Sequence, residues 1–284
     1  MGSAPSSGGL SRAIVALAFA LVSAPSPVAA QIQSPSQASE DDTAQSDVDP
    51  TRPVFFSIRP EFYTLAHGAE QRVLVFRTDA AVLKTQRFFS GLPGVILRFE
   101  APVVGSDANG QHAFGVGDAY GQFLVIPYVN ATKTFAWLFG TGVVLPTGTD
   151  MLTGGGKWVV APMGIPLWRF ANSLFYIKVQ NFTSVAGDAA RPDLNYLLVS
   201  PLFFRKMAAG WWVVADSDIK TIWTDDGRTN VRTGFLLGHG LVPGVSIWVK
   251  PEIWWGPNPD IRRAVRFGIV WYTRRAAPPA GATP

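Results

Sequence analysis

The sequence contains no cysteine, which removes disulfide scaffolds, thiolate zinc sites and cysteine nucleophiles together. Charge is scarce: 15% of its 284 residues are Asp, Glu, Lys or Arg, against about a quarter in ordinary soluble domains. No stretch holds about 18 apolar residues without a break, so a membrane-spanning helix is excluded. Three histidines are present, and no two lie close enough in sequence for a histidine metal site. The formal charge of +4 is diffuse and no Lys/Arg block stands out, so nucleic acid is not an expected partner. No cofactor is expected either. What the chain does have is apolar surface, at 48% hydrophobic and 12% aromatic, punctuated by 28 Gly and 22 Pro. That is too apolar for a disordered chain.

The first thirty residues read as an address. Arg12 is followed by an apolar run from Ala13 to Ala24, and Val28-Ala29-Ala30 offers small residues before Gln31. The run is too short to cross a bilayer, and the pattern predicts a secretory signal at 1–30 removed by signal peptidase. Residues 31–53 carry Glu40, Asp41, Asp42, Asp47 and Asp49 with almost no apolar side chains, and are expected to form a disordered acidic periplasmic segment. Residues 276–284 are expected to form a flexible Ala/Pro tail. The folded part is then 54–275.

Within that part the apolar residues recur with period 2. Val95, Leu97, Phe99 and Ala101 share one face while Arg98 and Glu100 share the other. Phe175, Ile177 and Val179 stand against Lys178 and Gln180, and Val245, Ile247 and Val249 against Lys250 and Glu252. Taking Gly, Pro and Asp clusters as boundaries predicts strands at 54–63, 71–82, 94–103, 114–129, 133–145, 156–168, 172–182, 194–205, 210–222, 230–240, 244–255 and 262–274. Short connections near 130–132, 169–171, 206–209 and 241–243 alternate with longer ones at 105–113, 146–155, 183–193, 223–229 and 256–261. This alternation predicts an all-β fold: an antiparallel up-and-down transmembrane β-barrel of about 12 strands, with both termini periplasmic. Trp168, Trp211, Trp212, Trp223, Trp254, Trp255 and Trp271 fall near strand ends, where aromatic girdles meet lipid headgroups. A soluble β-sandwich is the alternative, because it alternates too. Pro127, Pro162, Pro166, Pro201 and Pro251 lie inside predicted strands, where each removes a ladder donor.

The charged residues that alternation turns inward are the candidates for a pore lining: Arg59, Glu61, Arg77, Asp79, Arg98, Glu100, Lys178, Asp216, Asp218, Lys220, Lys250, Glu252 and Arg266. Same-face pairs two residues apart can compensate one another locally. They can act as a filter for solutes or as structural ion pairs filling a narrow barrel. No catalytic or metal-binding residue is assigned. His67 and His112 fall in predicted loops and His239 at a strand end, without a GxSxG elbow, so catalysis is not expected.

Phe114-Gly115-Val116-Gly117-Asp118, then Val143-Val144-Leu145-Pro146-Thr147-Gly148 and Gly154-Gly155-Gly156-Lys157-Trp158 with Pro162, resemble the outer-membrane proteins grouped as the MetA-pathway of phenol degradation family. The resemblance covers roughly 94–274. It implies a β-barrel transporter for small solutes, aromatic or hydrophobic ones included, seated among outer-membrane lipid and lipopolysaccharide. The closing segment 266–272 resembles the terminal strand read by the barrel-insertion machinery, although a tail follows it. The reading is therefore a channel or transporter acting by passive or facilitated diffusion. A lipid-active barrel enzyme, or a structural or adhesive barrel without an open pore, stands as the alternative.

Overall fold

The computed structural model describes residues 55–83, 94–257 and 259–272. The expected signal, acidic segment and tail lie outside the described residues, as does the joint at 84–93 between the second and third strands.

Among the described residues thirteen strands follow one another: β1 (Phe55–Leu65), β2 (Glu70–Leu83), β3 (Gly94–Ser106), β4 (Ala113–Val116), β5 (Ala119–Val129), β6 (Phe135–Leu145), β7 (Lys157–Arg169), β8 (Ser173–Gly187), β9 (Asn195–Lys206), β10 (Trp211–Ile222), β11 (Arg228–Val242), β12 (Val245–Trp255) and β13 (Ile261–Tyr272). All pairings are antiparallel. The sheet closes where β1 meets β13, with Phe55–Ile58 opposite Tyr272–Ile269 and Glu61 opposite Arg266. Short β4 and long β5 both pair with β3, at Val103–Ser106 and Val95–Glu100 respectively. They are one wall strand interrupted at Gly117-Asp118. The fold is a closed antiparallel barrel of twelve wall strands with this one extra short strand.

Closure leaves no free edge to template aggregation, and alternation then sorts every side chain. Phe56, Phe62, Leu97, Phe99, Trp137, Phe139, Ile247, Ile253, Val265, Phe267, Ile269 and Trp271 all project outward and are exposed. A continuous apolar belt of this extent calls for an apolar solvent around it, which is the condition a bilayer supplies.

The prolines fit this wall because an antiparallel residue directs its backbone groups to one neighbour only. Pro251 pairs with Val265 of β13, while the ladder to β11 is interrupted between the Gly234–Glu252 and Leu237–Val249 pairs. Pro201 keeps its partner Ile177 on β8 and interrupts the ladder to β10. Pro162 and Pro166 likewise pair with β6 and interrupt the ladder to β8. Each proline breaks one side locally and leaves the other intact. Only at Pro127 does the register shift on the retained side, between Val125 and Tyr128.

Chain connections gather at two ends. One end holds the turns at 130–134, 170–172, 207–210 and 243–244, together with the start of β1 and the end of β13. The other holds 66–69, 107–112, 146–156, 188–194, 223–227 and 256–260. Strand β8 runs to Gly187, beyond the predicted 182, which shortens the loop that follows.

Candidate functional site

The inward faces enclose a lumen with two zones. At the short-turn end, buried apolar side chains from many strands form one cluster, among them Phe55, Leu124, Leu138, Leu167, Leu174, Phe204, Trp212, Trp248 and Val270. Trp212, Leu138, Leu174 and Phe204 are wholly inaccessible. Two of the indoles lie against glycines placed directly across the ladder. Trp212 faces Gly238 and Trp248 faces Gly268, and a Cβ on either glycine would stand 2.2 Å from the indole ring. The missing side chain is what lets each indole lie flat across the wall. Sequence position alone assigned Trp212 and Trp254 to an interfacial girdle. In each Trp-Trp pair, however, alternation turns one ring out and the other in. Trp211 and Trp255 are exposed, whereas Trp212 and Trp254 point into the barrel.

Toward the long-loop end the lining becomes charged, and twelve of the thirteen sequence-derived candidates, all but Lys178, lie on β1–β3 or β10–β13. Asp79 holds Arg77 and Arg98, both at 2.8 Å. Glu100 takes Arg59 at 3.1 Å and Arg77 at 3.7 Å. Glu61 reaches Arg59 at 3.5 Å and Arg266 at 3.8 Å, and it accepts a hydrogen bond from Tyr63. Arg266 crosses to Glu252 at 2.8 Å, and Lys250 joins Glu252 at 3.0 Å to Asp216 at 2.5 Å. At the centre of this second half stands Arg232, bound to Asp218 at 2.7 Å, Asp216 at 3.1 Å and Glu252. Ser200 donates to Asp218 at 2.5 Å.

Arg232 was absent from the sequence-derived set. Its partners sit on neighbouring strands, Asp218 directly across from it on β10 and Glu252 diagonally across on β12. Pairing residues two apart on one strand could not find it. The usable signal was a cation on β11 with carboxylates at the matching height on both neighbours.

The opposite wall, β5 to β9, carries almost no charge. Tyr120 lies over Gly142, whose Cβ would fall 2.3 Å from the phenol oxygen. Its hydroxyl donates to Gln122 and accepts from Gln180, each at 3.1 Å. Tyr196 stacks on Phe182 with centroids 4.6 Å apart. Lys178 lies on this wall beside Tyr176, and Lys220 reaches toward it from β10, its ammonium 4.5 Å from the Tyr196 ring centroid. A cavity of about 180 Å³ opens on the loop side of the charged band, lined by residues that include Lys220, Asn230, Arg232 and Trp254.

The glycine-rich motifs explain the strand interruption. Asp118 accepts backbone N–H groups from Gly148 at 2.9 Å and Gly155 at 2.5 Å. The Thr147 hydroxyl donates to the Gly117 carbonyl and accepts from the Ala119 N–H. The break between β4 and β5 thus clamps loop 146–156 onto the rim. The same loop is tied onward by Arg191 to the Met151 carbonyl.

His112 and His239 do not meet. His239 stacks on Trp211 near the short-turn end, and His112 is exposed in the 107–112 loop at the other. Among the described residues no cluster of three metal-ligating side chains occurs.

No protein-family model matches this chain, and no curated protein sequence matches it. Among solved structures, the barrel is similar to an outer-membrane channel from Pseudomonas putida F1, at TM-score 0.65 and 10% identity over 80% of this chain and 97% of that one. It is also similar to the NanC porin, at TM-score 0.52 and 9% identity over 77% of this chain and all of the other. At such low identity the likeness establishes the architecture: this chain has the closed barrel fold of those proteins.

Proposed function

We propose that this chain is an outer-membrane channel that passes small molecules, aromatic or hydrophobic ones included, by passive or facilitated diffusion. The observation that carries this reading is the succession of zones along the lumen. A charged and aromatic region lies toward the long loops, and an apolar layer that includes Trp212 and Trp248 lies toward the short turns. A strongly hydrated solute would lose its water at that layer without compensation, whereas an aromatic or aliphatic body would exchange water for apolar contact. In this reading the barrel sits among outer-membrane lipid and lipopolysaccharide, inserted by the barrel-assembly machinery with both chain ends periplasmic, and the exposed outer apolar belt supports the lipid seat. The order of the GxGD, LPTG and GGGK segments supports kinship with the MetA-pathway family. No residue is assigned a catalytic role.

The test is planar-bilayer conductance of the wild type beside the Trp212→Ala/Trp248→Ala double variant. Small discrete steps that grow severalfold in the variant are expected. If the folded variant stays electrically silent, the apolar layer is not the barrier and the channel reading fails.

A further inference from the structure

The charged band balances exactly among its own members. Arg59, Arg77, Arg98, Arg232, Lys250 and Arg266 supply six cations, and Glu61, Asp79, Glu100, Asp216, Asp218 and Glu252 supply six carboxylates. Each of the twelve lies in at least one ion pair of the network. Two inward ammonium groups stand outside this balance. Lys178, directly opposite Ser200, has no ion pair within 4 Å among the described residues. Lys220 has none either, and its ammonium rests against the Tyr196 ring. Both therefore keep hydrogen-bond donors to offer, whereas the arginines are engaged by carboxylates.

Their surroundings select the rest of a ligand. Lys220 and Trp254 share the cavity of about 180 Å³ above the band. That cavity also contains Asn230, whose side-chain oxygen is buried without a partner. Tyr196 and Phe182 present a stacked pair of rings below Lys220, and Lys178 follows beside Tyr176. Nearer the short turns, the indole N–H groups of Trp212 and Trp248 are buried and lack acceptors among the described residues. A solute moving past these side chains meets aromatic faces and two ammonium groups outside the ion-pair network. The carboxylates of the band are matched by cations, and Asp260 is the further carboxylate that lines the cavity with Lys220.

Resting on the channel reading, we propose that the preferred solutes are small organic anions with a planar apolar body, of the aromatic carboxylate class, and that Lys178 and Lys220 are the residues that select them. An ammonium in a confined, partly desolvated lumen attracts an anion far more than one in bulk water. The rings gain apolar contact with the planar body.

The experiment uses calorimetric titration of the detergent-folded protein with benzoate, benzyl alcohol and benzylamine, which share a body and differ in charge. Reversal potentials in a potassium chloride gradient run alongside. Benzoate is expected to bind tightest and the pore to favour chloride. Lys178→Met/Lys220→Met should lower benzoate affinity about tenfold, leave benzyl alcohol unchanged and abolish the chloride preference. Lys178→Arg/Lys220→Arg should retain the benzoate preference, which separates loss of charge from loss of fold. Equal binding of benzoate and benzylamine, or a preference that survives the methionine variant, overturns the proposal. A barrel that conducts nothing yet prefers benzoate through these lysines upholds the solute class and counts against the open channel.

Discussion

The two zones of the lumen are built by the same alternation, yet they hold together by opposite means. At the short-turn end, side chains fill space: Trp212 on Gly238, Trp248 on Gly268, with Phe204 and Leu174 between strands. Nothing there depends on charge, and cohesion comes from contact and exclusion of water. In the band above, the inward groups of β1–β3 and β10–β13 are mostly ions, and cohesion comes from matching each to partners across the ladder. Buried ions repay their desolvation only when fully paired. The apolar zone therefore tolerates a missing partner as a cavity, while the charged zone punishes it as an orphaned charge. The two zones occupy different levels of the lumen, so each can be perturbed without touching the other.

The largest effect is expected at Arg232, a cation that touches three carboxylates. Arg232→Met keeps most of the side-chain volume and leaves Asp216, Asp218 and Glu252 short of a partner. Breaking a buried ion pair from one side costs about 3–5 kcal/mol. Urea unfolding of the detergent-folded barrel should register a loss of that order. A loss under about 1 kcal/mol is what solvent-screened pairs give, and it would mean that the band is wet and behaves as an exposed surface. The contrast between the zones would then collapse.

A smaller effect is expected in the apolar zone, where Gly238→Val drives a side chain into the Trp212 ring. Overpacking of this kind costs about 1–3 kcal/mol. Trp212→Ala in the same chain should relieve most of it, and the double-mutant cycle measures the coupling. The glycine also marks the limit of what the sequence discloses. Most strand limits were legible to within a residue or two, because period 2 depends only on neighbouring residues. The inward charged set was legible for the same reason. Which Trp of an adjacent pair faces the lumen, and which carboxylates surround Arg232, depend on register between strands. Register is set by turn lengths, the break at Gly117-Asp118 and closure of β1 on β13, and none of these is a local pattern. The pairing of Trp212 with Gly238 is such a cross-strand fact, since Trp212 taken alone reads as an interfacial aromatic.

The smallest effect belongs outside both zones, on the rim, where salt bridges sit in water and should contribute little. Lys157, almost wholly buried, extends its ammonium to Asp193 at 2.8 Å, and Asp193 also accepts from Ser184. The hydrogen bond and charge of Lys157 hold the Asp193 carboxyl below its ordinary range. Because the folded value is depressed, this tie is fully present above the ordinary carboxylate value, near pH 4, and is lost as pH falls through the lower folded one. Limited proteolysis of loop 188–194 across that range should show cleavage rising only at the acid end. Asp193→Asn should make cleavage independent of pH there, with no measurable change in the urea midpoint. If the variant instead shifts the midpoint as Arg232→Met does, the rim shares the energetics of the buried band, and the contrast between ions in the lumen and ions in water fails where it ought to be sharpest.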